Sequence, residues 1–206
     1  MPTEAVVPGP AAPRGRPRST QAQQAILRAT TEILEERGFP ALTMEEVATR
    51  AGVGKATVYR WWSSKGTLAF DAFLARFLEG QPLSDTGSLR GDLLAALRAW
   101  IRTVKGTATG RILAGLIAEV QRDPGLADEW RVRFVGVVRD RHRSMLERAI
   151  ERGEIAPECD TDVVLDLLYG SAYHRLLQSH LPLTDRFAKS VVDIIVTGLT
   201  NGNGAS

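Results

Sequence analysis

The 206-residue sequence has few of the features that mark secreted, disulfide-bonded or membrane-spanning proteins. Its one cysteine, Cys159, excludes an internal disulfide and a cysteine-cluster zinc site, so we interpret it as a structural residue. No run of about 18 apolar residues occurs, and the first residues lack the charged-then-apolar order of a signal peptide. We therefore expect a cytoplasmic protein without a membrane span.

An excess of charge and a strand-like pattern are also missing. The 26 Lys and Arg residues nearly balance the 24 Asp and Glu residues, so a formal charge of +2 does not indicate that the whole molecule binds polyanions. Apolar residues do not alternate with a period of two, and caps, glycines and prolines separate the segments. The length suffices for one large domain or two small ones. These features predict an all-α fold.

The sequence motifs of common catalytic sites are absent as well. Neither H-E-x-x-H nor G-x-S-x-G occurs, and the segment around Gly54 and Lys55 lacks residues that a phosphate-binding loop needs. His142 lies among Arg and Asp residues of a predicted helix, where a solvated surface histidine is expected. We therefore predict no enzyme activity, no metal site and no cofactor.

Residues 43–68 hold the strongest positive signal. Thr43 is placed to cap a helix whose Glu46 completes a capping box, and Gly52 follows where the chain must leave that helix. A second short helix then buries Val58 at the junction. Two short helices around a glycine turn, followed by a third helix, predict a helix-turn-helix that reads DNA.

The charges of this region are of one sign. Four cations and no acid lie between Val47 and Phe70, namely Arg50, Lys55, Arg60 and Lys65. A surface of this kind attracts the phosphate backbone of DNA. The basic character of the chain is therefore local and coincides with the helix-turn-helix.

Residues 51–65, AGVGKATVYRWWSSK, resemble the N-terminal domain of TetR/AcrR-type transcriptional regulators, whose pattern is A-G-V-S-x-x-T-x-Y-x-[HY]-F-x-[SN]-K. The resemblance extends over about residues 21–77. Gly54 stands where the pattern has Ser, and Trp61 and Trp62 stand where it has His or Tyr followed by Phe. Because the tryptophans change the reading helix, the resemblance does not imply an operator sequence.

The resemblance implies a homodimeric repressor that binds a pseudo-palindromic operator and is released by a small-molecule effector. Alternatives of other classes stay open: an all-helical ligand-binding protein or enzyme, or a DNA-binding regulator without an effector. Specific binding to a palindrome that a small molecule relieves would favour the repressor. Turnover of a substrate would favour the enzyme.

Phosphate contacts are expected from four side chains. Lys55 and Lys65 are expected to pair with phosphates, and Thr43, at a helix N-terminus, offers donors to a phosphate in addition to its role as a cap. The resemblance implies that Tyr59 also donates to a phosphate, with packing alone as the alternative.

Base contacts are expected from the same helix. Arg60 suits either bidentate contact with guanine O6 and N7 or contact with a phosphate. Ala56 and Thr57 lie at the start of the reading helix, where small side chains can meet thymine methyl groups or base edges.

Residues 1–19 are rich in Pro, Ala and Gly, so we expect a disordered basic arm. Arg14, Arg16 and Arg18 lie in a segment similar to the core of an AT-hook, in which extended arginines enter the minor groove of A·T-rich DNA. The alternative is a basic tail that touches phosphates. Both interpretations give the arm a contribution to DNA affinity.

Glycines, prolines and caps divide the rest of the chain. The first helix is expected from Ser19 or Thr20 to Arg37. We expect the DNA-binding domain with its linking helix over residues 20–79, a helical effector-binding and dimerisation domain over 80–200, and a flexible tail over 201–206. The second domain is expected to hold helices at about 88–105, 107–122, 124–152, 161–181 and 185–199.

The last two of these helices, 161–181 and 185–199, are apolar around nearly their whole circumference. Such a helix needs burial on more than one side, and in a domain of this size a second subunit is the expected partner. We therefore predict a homodimer through these two helices, and the resemblance implies that they form a four-helix bundle with their copies.

The resemblance also implies a small-molecule pocket in the second domain. Ligand pockets combine aromatic walls with a few polar groups. Six residues are candidates on this basis: Trp100, Ile117, Trp130, Phe134, Tyr173 and His174. The alternative for each of them is a place in the packed core.

Overall fold

The computed structural model describes residues 16–77 and 85–202. Within these ranges the fold is all-α without a β-strand, as predicted, and none of the helices is long and apolar enough to cross a lipid bilayer. In chain order the helices are α1 Arg16–Arg37, α2 Met44–Ala51, α3 Lys55–Trp61, α4 Lys65–Phe77, α5 Leu89–Val104, α6 Ala108–Val120, α7 Pro124–Trp130, α8 Val137–Glu151, α9 Thr161–Gln178 and α10 Asp185–Gly202. A 3₁₀ turn, Phe39–Ala41, follows α1, and a π-helical turn, Arg131–Gly136, joins α7 to α8.

Helices α1, α2 and α3 form an N-terminal unit, called the head below. Helix α1 packs against α2 and α4 and buries Ile26 and Ile33 completely. Val58 of α3 and the following Trp62 are buried, and the small, buried Ala48 of α2 leaves room for α3. This packing confirms the predicted helix-turn-helix.

The N-terminus of α2 is capped by a side chain. Thr43 has an extended backbone, and its hydroxyl oxygen accepts a hydrogen bond from the backbone N–H of Glu46 at 3.2 Å. The Glu46 carboxylate forms ion pairs with Arg37 of α1 and, at 3.6 Å, with Arg50 of its own helix. Glu46 therefore lies in the first turn of α2 and links α2 to α1 through Arg37.

Helix α4 connects the head to the helical domain formed by α5 to α10, and it packs on α1, α6 and α7. The head also contacts α6 directly. A Cβ atom on Gly115 would lie 3.0 Å from the Cβ of Phe39, and Arg111 donates to the Glu35 carbonyl at 3.3 Å. Head and helical domain therefore share a close interface.

Side-chain caps also begin the first helices of the helical domain. Ser88, Thr107 and Asp123 each accept a hydrogen bond from the backbone N–H three residues further on. Pro124 occupies the first position of α7, where its missing N–H costs nothing. The helix expected over 124–152 keeps helical backbone angles throughout, but its hydrogen bonding changes at the π-helical turn.

Three helix ends differ from the expected ones. Helix α1 begins at Arg16, an earlier start that Pro17 permits because proline is compatible with the first helical turn. Helix α9 ends at Gln178, because Ser179 takes φ 51° and donates its N–H to the Arg175 carbonyl at 3.0 Å. Helix α10 continues to Gly202 and so includes part of the expected tail.

The helical backbone at Arg16 and Arg18 differs from the extended arm that the AT-hook interpretation requires. Arg14 and the rest of the arm to residue 15 lie outside the described residues. The same holds for most of the expected domain boundary, residues 78–84, and for the end of the tail, residues 203–206.

Candidate nucleic-acid interface and helical-domain cavity

Glycine makes the turn between α2 and α3. Gly52 has φ 66° and ψ 32°, a left-handed conformation that glycine adopts without a steric penalty. Its N–H points to the carbonyls of Ala48 and Thr49, and the N–H of Val53 donates to the Ala48 carbonyl at 3.0 Å. Gly54 is extended, with φ −70° and ψ 143°, and precedes the first residue of α3. The turn therefore ends α2 and starts α3 within three residues.

Helix α3 presents a short row of side chains to solvent. The exposed members of the candidate DNA contacts are Lys55, Ala56, Tyr59, Arg60 and, at the start of α2, Thr43. Thr57 and Lys65 are half-buried. Because Lys55 forms an ion pair with Glu45, the N-termini of α2 and α3 are adjacent, and Thr43 belongs to the same edge of the head.

Two of the four cations are paired with acids from outside the acid-free stretch. Lys55 pairs with Glu45, and Arg50 pairs with Glu36 at 2.8 Å. The hydrogen bond between Lys55 and Glu45 lowers the pKa of the carboxyl and raises that of the ammonium. The expectation of an uncompensated basic surface is therefore wrong for these two side chains. Exposed ion pairs of this kind are weak, so a phosphate can take the place of the carboxylate.

Three cations of α3 and of the start of α4 lie over aromatic rings. Lys55 Nζ is 5.7 Å from the Tyr59 ring centroid, and Arg60 Cζ is 5.9 Å from that of Trp61. Lys65 Nζ lies 4.9 Å from the Phe39 ring centroid. The rings attract these basic side chains, and the contacts of Lys55 and Arg60 lie within α3 itself.

The two adjacent tryptophans have different places. Trp61 is exposed at the end of α3, whereas Trp62 is buried and its indole N–H donates to Asp71 Oδ2 of α4 at 2.8 Å. Asp71 Oδ1 lies 2.7 Å from Arg133 Nη2 of the π-helical turn, and Arg133 also pairs with Glu129 at 3.0 Å. Polar contacts therefore run from the end of α3 to the helical domain.

A cavity of about 330 Å³ lies in the helical domain, in the size range of small-molecule sites. Its wall combines residues of α4, α5, the π-helical turn, α8 and α9. The aromatic residues and the histidine of this wall are Phe77, Trp100, Phe134, His142, Tyr169 and Tyr173. Within the described part of the chain, no group of three or more His, Cys, Asp or Glu side chains is arranged to hold a metal ion.

Three of the six pocket candidates, Trp100, Phe134 and Tyr173, line this cavity. Ile117 and Trp130 lie outside its lining, because both pack in the core; the Trp130 ring centroid is 4.4 Å from that of Phe134. His174 is exposed, since it lies one position beyond Tyr173 and so points about 100° away around α9.

His142 is not the solvated surface residue that the sequence suggested. Its side chain is 6% exposed and lines the cavity. Nδ1 lies 2.7 Å from the Val138 carbonyl oxygen, which only accepts, so Nδ1 carries a proton. Nε2 lies 2.7 Å from the Tyr169 hydroxyl. Burial lowers the pKa of His142, so the ring is neutral at pH 7 and Nε2 accepts the Tyr169 proton.

Tyr173 stands beside Tyr169 on the same face of α9. Its ring meets Trp100 edge to face, with centroids 5.0 Å apart. Burial raises the pKa of Tyr173 to about 12, against the opposing effect of a hydrogen bond with the Trp100 side chain. Burial also raises the pKa of Tyr169. Both phenols therefore keep their protons at neutral pH.

Sequence reasoning missed Phe77, His142 and Tyr169. Tyr169 carried a signal, because it lies four residues before Tyr173 and so shares its helical face. The burial of His142 had no local signal, since Arg141 and Arg143 flank it.

Comparisons with known proteins cover both parts of the chain. Residues 26–72 match the family profile described as bacterial regulatory proteins of the tetR family, and residues 83–195 match the tetracyclin repressor-like C-terminal domain. The chain is 36% identical over 179 residues to the uncharacterized HTH-type transcriptional regulator YdeS of Bacillus subtilis (strain 168), which covers 87% of this chain and 90% of that protein.

Two further relatives are similar over most of their length. The DNA-binding transcriptional repressor TetR of Mycobacteroides abscessus is 31% identical over 186 residues, covering 89% of this chain and 94% of that protein. The crystal structure of the TetR family transcription regulator SCO0332 has a TM-score of 0.75 at 38% identity, covering 86% of this chain and 98% of that one. These relatives are transcriptional regulators rather than enzymes. With its helix-turn-helix head and its helical second domain, the chain belongs to the TetR family of DNA-binding transcriptional regulators.

Proposed function

We propose that this regulator is a homodimeric repressor that binds a pseudo-palindromic operator and releases it when a small molecule fills the cavity of the helical domain. One observation carries the release step: the π-helical turn, which lines the cavity through Phe134, is joined to the end of α3 by the side-chain contacts of Arg133 with Asp71 and of Asp71 with Trp62. The name of the M. abscessus relative, a DNA-binding transcriptional repressor, supports repression rather than activation.

The first connection runs through polar side chains. Phe134 lines the cavity from the π-helical turn, and Arg133 precedes it in the chain. Arg133 pairs with Asp71 at 2.7 Å, and Asp71 accepts from the Trp62 indole at 2.8 Å. Trp62 is the C-terminal cap of α3. A displacement of the π-helical turn is therefore transmitted to α3 through two short contacts.

Helix α4 provides a second connection. Its first residue, Lys65, is a candidate phosphate contact, and its last, Phe77, lines the cavity. The ring centroid of Phe77 is 5.2 Å from that of Phe134, and the ring centroid of Phe73, one turn earlier, is 5.5 Å from that of Phe134.

A ligand shifts an equilibrium only if it binds two states with different affinity. Release by a ligand therefore requires that the cavity has a different shape in the DNA-bound state, so that the ligand binds that state less tightly.

A variant that fills the cavity tests the release step without a known effector. Val138→Phe puts a ring into the cavity, and we expect operator affinity to fall by about 10-fold, within the usual range of allosteric coupling. Val132→Phe is the matched control, because it adds the same ring at an exposed position of the π-helical turn. The measurement is fluorescence anisotropy with an operator recovered by selection from random DNA.

Asp71→Asn then tests whether the contacts of Asp71 with Arg133 and Trp62 transmit the change from the cavity to α3. It removes the charge that pairs with Arg133 while keeping an acceptor for Trp62, so it should diminish the effect of Val138→Phe in a double-mutant cycle. Wild-type affinity of a folded, dimeric Val138→Phe protein would contradict release through the cavity and would favour a regulator without an effector.

The dimer is proposed from the exposed faces of α9 and α10. Val163, Leu167 and Ile194 are 50%, 56% and 73% exposed, although each is a large apolar residue. They line a groove between the two helices, together with Gly198. A Cβ at Gly198 would have no atom within 4 Å, so another helix can approach closely there. A contiguous apolar patch of this kind marks an interaction surface.

A second copy of the chain is the proposed occupant of this groove. Two symmetry-related heads would then read half-sites about one helical turn, or a multiple of it, apart on the same DNA. Ile194→Asp places a charge in the groove and should produce a monomer in analytical ultracentrifugation, with loss of operator binding. Thr200→Asp adds the same charge on α10 outside the groove and should leave the dimer intact. A dimeric Ile194→Asp protein would contradict this interface.

A further inference from the structure

We propose that the cavity takes an uncharged aromatic compound that carries one hydroxyl group, bound between the phenols of Tyr169 and Tyr173. The inference rests on the proposed function in one respect, namely that the ligand of the cavity is the effector. The chemical class of the ligand follows from the cavity wall, from the hydroxyl groups of Tyr169 and Tyr173, and from the charged side chains at the edge of the cavity.

The wall favours a flat aromatic body. Phe77, Trp100 and Phe134 contribute rings from three different elements, and the rings of Tyr169 and Tyr173 complete the lining on α9. Aromatic rings attract one another in offset and edge-to-face arrangements beyond the effect of area alone. A ligand with two fused or linked rings can contact several of these residues at once.

Tyr169 provides an acceptor. Its O–H donates to His142 Nε2 at 2.7 Å, and the bond between His142 Nδ1 and the Val138 carbonyl, also 2.7 Å, fixes the tautomer that makes this direction necessary. The proton of Tyr169 is therefore engaged, while lone pairs on its oxygen remain available to a ligand that donates.

Tyr173 provides a donor. Tyr173 lines the cavity one turn after Tyr169, and its ring packs edge to face against Trp100 with centroids 5.0 Å apart. A phenol hydroxyl carries one proton, so Tyr173 can donate it to a ligand. Tyr169 and Tyr173 are one turn apart on α9, where the Cβ atoms of such residues lie about 5–6 Å apart. A single hydroxyl group, which both donates and accepts, matches this pair.

The charges at the edge of the cavity do not require an ionic ligand. Arg139 borders the cavity but pairs with Asp162 at 2.9 Å and with Asp166, which also borders the cavity. Its charge is thus compensated within the protein. Arg141 is the other cation among the lining residues, and a carboxylate probe tests whether it attracts an anion.

The experiment compares three probes of one shape on the full-length protein by titration calorimetry: 4-hydroxybiphenyl, biphenyl and biphenyl-4-carboxylate. We expect 4-hydroxybiphenyl to bind about 5- to 10-fold more tightly than biphenyl, the effect of one or two net hydrogen bonds. Tyr169→Phe and Tyr173→Phe should each reduce this preference. Tyr59→Phe, in the head, is the matched control and should keep the preference.

Each result decides one point. Equal binding of biphenyl and 4-hydroxybiphenyl, tightest binding of the carboxylate, or no binding of any probe to folded protein would overturn the proposed ligand class. Binding of 4-hydroxybiphenyl that leaves operator affinity unchanged would support the ligand class and contradict the effector role. Loss of operator affinity in Val138→Phe without binding of any probe would support release and contradict the ligand class.

Discussion

In the free protein the Lys55 ammonium is paired with the Glu45 carboxylate, which competes with a phosphate for it. Glu45→Gln should raise operator affinity by about 2- to 5-fold and steepen its salt dependence, because it frees Lys55 and removes a negative charge that faces the phosphates. Electrophoretic mobility shifts at two salt concentrations measure both quantities.

Glu158→Gln is the control for this substitution, because it removes the same charge at an exposed position of the helical domain. An equal gain in both variants would assign the effect to net charge alone. No gain in Glu45→Gln would contradict a phosphate contact by Lys55.

Arg60 is exposed on α3, and its guanidinium lies 5.9 Å from the Trp61 ring centroid. Arg60→Ala should weaken operator binding by about 1–3 kcal/mol. Arg60→Lys distinguishes the two roles: lysine keeps a phosphate contact but loses the bidentate geometry that recognises guanine. Loss of preference at one base pair in Arg60→Lys indicates base readout, and unchanged affinity of Arg60→Ala would remove Arg60 from the interface.

The burial of His142 should make the free energy of unfolding depend on pH. Because burial lowers its pKa in the folded state, the unfolded chain binds more protons below about pH 6.5. The contribution of His142 to the free energy of unfolding is therefore complete above that pH and is lost as the pH falls towards the folded-state pKa. Arg141 on α8 adds to the shift, and Tyr169 faces the ring from α9.

Thermal melts at pH 7.5 and 5.5 measure this effect. His142→Gln should reduce the difference between the two melting temperatures, whereas His180→Gln, at an exposed position, should keep it. Equal pH dependence in the wild type and in His142→Gln would show that His142 is not the titrating group.

At the scale of elements, the turn between α2 and α3 contains two glycines with opposite requirements. A Cβ at position 54 would meet only Thr57 Oγ1, at 3.9 Å, and the backbone there is extended. Gly54→Ser adds an N-cap to α3 and should raise the free energy of unfolding by about 0.5–1 kcal/mol. Gly52→Ser should lower it by about 1 kcal/mol, because φ there is positive. Chemical denaturation of both variants tests the pair, and a change of the same sign in both would contradict this account of the turn.

The helices themselves were predictable from the sequence, because each depends on local signals. Thr43, Ser88, Thr107 and Asp123 cap the helices that follow them, and their residue types show this in the sequence. The π-helical turn had no such signal, since the residues around Phe134 are compatible with an ordinary α-helix. Phe134 of this turn packs against Phe73 and Phe77 of α4.

The site was less predictable than the fold. The row on α3 follows from helical periodicity, but the pairing of Lys55 with Glu45 depends on how α2 and α3 cross. In the cavity, Trp100, Phe134 and Tyr173 come from three elements, and only the tertiary packing separates them from Trp130, which lies in the core.

At the scale of the whole molecule, the nearly balanced charge fits a protein whose affinity for DNA is local to the head. The exposed apolar face of α9 and α10 and the connected cavity belong to the other end of the chain. In this account dimerisation sets the distance between two reading helices, and the cavity controls whether that distance fits the operator.

The most direct test of this account is to select DNA fragments with the purified full-length protein from random and genomic pools, and to sequence them at two salt concentrations. We expect an enriched inverted repeat whose half-sites are about one helical turn or a multiple of it apart, with fewer fragments retained at the higher salt concentration. Absence of an enriched sequence, or enrichment of an unrepeated site, with protein shown to be folded and dimeric, would contradict operator recognition by paired heads.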